Sequence, residues 1–148
     1  MIKKVIIFVI SVTLFLTTMG CLGELKTYDT FSEERIEILE DFYLLTFPDN
    51  VKYEMAVFEN VRDTSFRLVL EYSHNDFSEF IKTANTTYMS TEGQNFGIFS
   101  ATHFNYNSTP FYSQESQTYI CYSTNNGIEY VELYSTRYFE NINKFNKF

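Results

Sequence analysis

Two cysteines, Cys21 and Cys121, and two histidines, His74 and His103, are all the thiol and imidazole chemistry this 148-residue chain carries. Zinc needs three or four ligands, and no Cys/His spacing here supplies them. Cys121 and His103 have the residue types of a nucleophile and its base. Cys121, however, falls in the middle of a predicted strand, away from the helix N-terminus that would lower a thiol pKa. It reads instead as a small buried hydrophobe. His74 lies inside a helix-capping pattern, and His103 beside a predicted strand. No Gly-x-Ser-x-Gly elbow and no Gly-rich phosphate loop is present. Glu33, Glu37, Glu40 and Asp41 share one helix surface, the pattern of a solvated face. Asp63 reads as a turn residue. Paired carboxylates for glycoside hydrolysis need a cleft, which is a tertiary property. No catalytic residue, metal or cofactor is assigned, and the chain reads as non-enzymatic.

The elements that would position these residues follow from periodicity. Thr30-Phe31-Ser32-Glu33 has the form of a capping box. Ile36, Leu39, Phe42, Tyr43 and Leu45 then form an apolar stripe at helical spacing. Pro48 holds Phe47 extended, which predicts a helix end near Thr46. From Val51 the period changes to two, with Val51, Tyr53, Met55 and Val57 on one face. It resumes at Phe66, Leu68, Leu70 and Tyr72 after a polar connection, predicting a β-hairpin. Ser73-His74-Asn75-Asp76 is a second capping box, leading into Phe77, Phe80, Ile81 and Ala84 at i, i+3, i+4, i+7. Thr118–Ser123 and Ile128–Thr136 flank Asn125-Asn126-Gly127, a tight primed turn. Phe139, Ile142 and Phe145 predict a short C-terminal helix. Between these, Asn85 to Ser116 is irregular, with Phe96 to Phe104 readable as a strand. A structureless loop of that length is unusual in a compact domain. Short-connected strands pair antiparallel, and single-striped helices cover one face of a sheet. The expectation is a two-layer α+β domain, with about four to five antiparallel strands in hairpins and two helices on one face.

The N-terminus carries an address. Lys3 and Lys4 precede an apolar run from Val5 to Leu16, and Met19-Gly20-Cys21 ends it, the build of a secretory signal. Leu16-Thr17-Thr18-Met19-Gly20-Cys21 resembles the lipobox of bacterial and archaeal prolipoproteins in Gly20 and Cys21. It departs from that pattern at Thr18, where Leu is usual, and at Met19, where a small residue is usual. The resemblance covers only this segment. It implies that Cys21 receives a diacylglycerol and becomes the mature N-terminus, facing outside the cytoplasm on the cell membrane. Two acyl chains hold a protein where one is marginal, each methylene contributing ~0.8 kcal/mol. Two other fates share this topology. A cut after Gly20 would leave Cys21 free to pair with Cys121 in a disulfide. An uncleaved segment would remain as a helix, although it is shorter than the ~20 residues a span needs. The expected organisation is a signal over residues 1–20, a tether over 21–29 and one domain over 30–148.

Charge excludes one partner class. With the signal removed, nine Lys/Arg face nineteen Asp/Glu, a net charge of −10. Nucleic acid binding relies on Lys/Arg displacing counterions from phosphates, so nucleic acid is not a partner. The chain is also too short for the two-lobed solute-binding proteins common among lipoproteins.

Sixteen Phe and twelve Tyr, with no Trp, make the chain aromatic-rich, which β-strands favour. Tyr88, Phe104, Tyr106, Phe111 and Tyr112 are interleaved with Asn, Ser and Thr, the composition of recognition loops. They form the candidate interaction surface, against the alternative that these rings pack beneath the loop. Asn85-Thr86-Thr87 and Asn107-Ser108-Thr109 are sequons in the same stretch. The expected role is a membrane-anchored binding or accessory module whose partner is an envelope protein or component. The alternatives are a small envelope hydrolase using carboxylates, and an inhibitor or immunity-type protein with an acidic surface.

Overall fold

The computed structural model describes residues 24–60, 64–84, 87–91 and 106–147. Helix α1 spans Glu33–Tyr43 and is capped by Ser32, whose hydroxyl accepts from the Arg35 amide at 3.3 Å. The capping box expected at Thr30 is thus displaced by two residues. Thr30 has another role, accepting from the Arg35 guanidinium through its hydroxyl at 2.9 Å and its carbonyl at 2.6 Å. The helix ends earlier than the proline alone predicts. Leu44 takes a left-handed conformation (φ 55°) and Glu40 Oε1 accepts from the Phe47 amide at 2.8 Å, so the chain turns before Thr46.

Strands β1 (Glu24–Tyr28), β2 (Lys52–Asn60), β3 (Thr64–Glu71), β4 (Met89–Ser90), β5 (Tyr106–Ser113), β6 (Thr118–Asn125) and β7 (Ile128–Ser135) form one antiparallel sheet. Their order is β1-β2-β3-β7-β6-β5-β4. Helix α2 (His74–Thr83) follows β3, and the chain next enters the sheet at its far edge, returning by β5 and β6 to close with β7 beside β3. Helix α3 (Ile142–Phe145) completes the domain. The α+β class and the antiparallel sheet are as expected, but among the described residues seven strands stand where four to five were expected and three helices where two were. The additional strands lie where alternation is short or broken. Glu24–Tyr28, expected as part of the tether, is an edge strand paired with β2. The stretch read as irregular holds β4 and β5, and the strand expected over Phe96–Phe104 lies outside the described residues.

The β2–β3 hairpin forms as predicted, with one change of face. An irregularity between Tyr53 and Met55 shifts the register, so Ala56 and Phe58 turn to the core while Met55 and Val57 join the other face. One extra residue inverts every side chain beyond it in a period-two element. The β6–β7 turn is as expected, with Asn126 at φ 51° and Gly127 at φ 81°.

All three helices pack on one face. Phe66, Leu68 and Leu70 of β3, Val131 and Leu133 of β7, and Ile120 and Tyr122 of β6 are buried there beneath Leu39, Phe42, Phe77, Ile81 and Phe145. Phe66 is the hub. Its ring centroid lies 5.7 Å from Phe42, 4.5 Å from Phe139 and 5.6 Å from Phe145. Much of the aromatic content is therefore core, where edge-to-face and tilted rings add to simple burial.

Candidate functional site

The structure separates the residues of the predicted interaction surface. Tyr88 is 8 % exposed, donates to the Tyr43 carbonyl at 2.8 Å and accepts from Ser116 Oγ at 3.3 Å. Phe111 is 4 % exposed and faces the core opposite Ile120. Both are packing residues, a correction with a simple cause: pairing to β6 turns one face of β5 inward. Tyr106 opens β5 opposite Ser123. Phe104, His103, Asp63, Asn85 and Cys21 lie outside the described residues. Of this set, Tyr112 stands half-buried on the face opposite the described helices, its ring 4.5 Å from Tyr119.

That face carries a continuous row. Cross-strand pairing aligns Met89, Tyr112, Tyr119, Tyr134, Arg67, Val57 and Thr27, one residue from each of the seven strands. Directly opposed residues on one face are the closest side-chain neighbours in a sheet. The Arg67 guanidinium lies 5.9 Å from the Tyr134 ring, within cation–π range. Burial holds the Tyr119 hydroxyl above its ordinary pKa, with the neighbouring Tyr112 adding to the effect. Periodicity within each strand was enough to place Tyr119 and Tyr134 on a common face of their hairpin. Joining them to Tyr112 and Arg67 needs the β5–β6 and β3–β7 pairings, which no local pattern shows.

In the next row, Cys121, Glu132 and Val69 are buried and Met55 is half-buried. Arg67 Nε stands 3.2 Å from Glu132 Oε1, with the Glu132 side chain 1 % exposed. A charge that deep needs an opposite charge close by. Cys121 is a free, buried thiol, 3.7 Å from Thr109 Oγ1. Burial pushes it up to about 12; the Thr109 hydrogen bond opposes this, Glu132 adds to it and Arg67 opposes it. A thiol so protonated is a poor nucleophile at neutral pH.

His74 acts as a clamp. Its Nε2 is 2.9 Å from the Ser123 carbonyl and 3.0 Å from the Tyr130 carbonyl, so this nitrogen carries the proton. Its ring stacks on Tyr122 at 4.6 Å, and its amide donates to Glu129 Oε2 at 2.9 Å. These contacts tie the start of α2 to the β6–β7 hairpin.

A groove of about 500 Å³ opens at the end of α1, lined by Glu40, Asp41, Leu44, Leu45, Phe47 and Phe80 among others. Its two carboxylates are neighbours on one helix, and Glu40 is bonded to the Phe47 amide. They do not face each other across the groove as an acid and base on opposite sides of a bond must. Among the described residues, no group of three His, Cys, Asp or Glu side chains could hold a metal ion, and no helix is long and apolar enough to cross a membrane. Comparison with protein-family models, curated proteins and solved structures gives no match.

Proposed function

We propose that this chain is a lipid-anchored extracytoplasmic protein, held by Cys21, that binds a protein or envelope component through the sheet face opposite its described helices. The observation that carries the binding role is the row Tyr112–Tyr119–Tyr134–Arg67 across four neighbouring strands. Tyrosine and arginine dominate binding hot spots because each combines a large flat contact area with a directional polar group. A rigid sheet holds the half-buried Tyr112, Tyr119 and Tyr134 with little conformational entropy left to lose. Arg67, its side chain 11 % exposed and paired with Glu132, braces the end of the row. The lipid fate of Cys21 is supported by Gly20-Cys21 following the basic start and apolar run of the N-terminus.

The test joins both halves. Intact mass of the membrane-fraction protein should show loss of 20 residues and gain of lipid, and Cys21→Ser should release the protein from that fraction. Chemical cross-linking on intact cells should then yield a discrete adduct that Tyr112→Ser/Tyr119→Ser abolishes and Tyr138→Ser, on an exposed helix-side residue, preserves. An adduct pattern identical in all three proteins would sink the binding face.

A further inference from the structure

We infer that the β1 edge of the sheet, together with α3, lies against the bilayer, so that the tyrosine row runs outward from the membrane; this rests on the lipid anchor at Cys21. Three residue steps separate Cys21 from Glu24, the first residue of β1, and an extended chain covers at most ~3.3–3.6 Å per residue. The folded sheet therefore begins within about 10 Å of the acylated residue. A tether that short cannot hold the domain clear of the headgroups.

The residues on this edge suit that position. Leu25 is 64 % exposed, the most exposed large hydrophobic side chain among the described residues, and it stands four positions after Cys21. On the helix side of the same edge, Lys26 lies in one cross-strand row with Phe58 and Phe66, with Phe145 packed against Phe66. Helix α3 packs against β1 through Phe145 on Tyr28, at 4.9 Å, and brings exposed Lys144 and Lys147 to that side. Among the described side chains, Lys26, Lys144 and Lys147 accompany Asp29 and Glu59 on this side, in a domain whose net charge is −10. This edge thus turns three lysines toward lipid phosphates while an apolar side chain enters the interface.

The sheet then sets the height of everything else. At ~4.8 Å per strand, β7, β6 and β5 stand roughly 14, 19 and 24 Å from β1, and β4 about 29 Å away. Tyr134, Tyr119 and Tyr112 are held at rising distance from the membrane, where a partner can reach them.

The chain contains no Trp, so one introduced indole reports a single place. Leu25→Trp and Met89→Trp put it at exposed positions on the two opposite edges. Each lipidated protein, its acylation verified by intact mass, is reconstituted into phosphatidylcholine vesicles with and without brominated acyl chains. The expected result is blue-shifted emission and roughly twofold bromolipid quenching for Leu25→Trp, since interfacial groups reach ~5–10 Å into the headgroup and acyl boundary. Met89→Trp should be quenched by aqueous acrylamide and untouched by bromolipid. Acylated protein in which both variants respond to acrylamide alike would overturn the orientation and leave the anchor standing. A mature mass without lipid would overturn the anchor and the orientation with it.

Discussion

Replacing Phe66 with Ala tests whether one ring joins the three separate pieces of the helical layer to the sheet. Phe66 is fully buried and meets Phe42 and Tyr43 of α1, Phe139 of the segment after β7, and Phe145 of α3. Its ring neighbours come from three chain regions, so the void left by truncation cannot close by the shift of a single element. Buried Phe→Ala changes cost about 3–5 kcal/mol, rising with the unrelaxed cavity, and this site should fall near the upper end. A domain of this size has a total stability of about 5–15 kcal/mol, so a third or more is removed. With a urea slope near 2 kcal/mol/M, the midpoint should fall by roughly 2 M. Phe31, half-buried and stacked on Tyr53 at 5.2 Å, is the control, and Phe31→Ala should cost roughly 1 kcal/mol, the scale of a peripheral ring pair. Urea unfolding of the mature chain, followed by circular dichroism in a Cys21→Ser background, measures both. A Phe66→Ala loss below about 2 kcal/mol at unchanged slope, or one equal to Phe31→Ala, would refute the reasoning.

Three further outcomes follow from the cap and from the buried protons. In the Cys21→Ser protein, Cys121 should resist a thiol reagent at pH 8 until the chain is unfolded; rapid native labelling would contradict its burial. Stability should also decline as pH rises from about 9 towards 12, because folded Cys121, Tyr53, Tyr88 and Tyr122 hold their protons to about 12 while the unfolded chain releases them near 9 to 10. The unfolded state then binds fewer protons, so the slope of stability with pH is negative in that window; a flat urea midpoint from pH 9 to 12 would show the groups are not held this way. Ser32→Ala should cost about 1 kcal/mol as a lost N-cap, and Thr30→Ala less, because the Thr30 carbonyl still accepts from Arg35. The reverse order would place the helix start where the capping-box pattern does.

Helices and hairpins were legible wherever a local signal repeats. Phe77 and Ile81 of α2, the Asn126-Gly127 turn and the buried trio Phe139, Ile142 and Phe145 all depend on spacing within ten residues, which a sequence displays. Three features were hidden. The β2 irregularity leaves the alternation of Val51, Tyr53, Met55 and Val57 intact on paper while reversing its meaning in space. Strand β1 is polar and short, and it exists only because Asn60, Glu59, Phe58, Val57 and Ala56 offer it a paired edge. Tyr88 and Phe111 sit in Asn/Thr/Ser-rich surroundings that suggest exposure, yet the fold draws their rings into the core.

Sequence alone carried the α+β class, and it is the whole basis of the proposed export signal and lipid anchor at Cys21, because those readings depend on runs and periods in contiguous residues. Tertiary structure decided which aromatic rings are core and which stand in a row on the face opposite the described helices. It also decided that a supposed tether begins the sheet. The physical reason is the same in each case: a strand acquires its inner and outer faces from the neighbours it pairs with. The partners that align Tyr112, Tyr119, Tyr134 and Arg67 are drawn from positions between 7 and 67 residues apart in the chain.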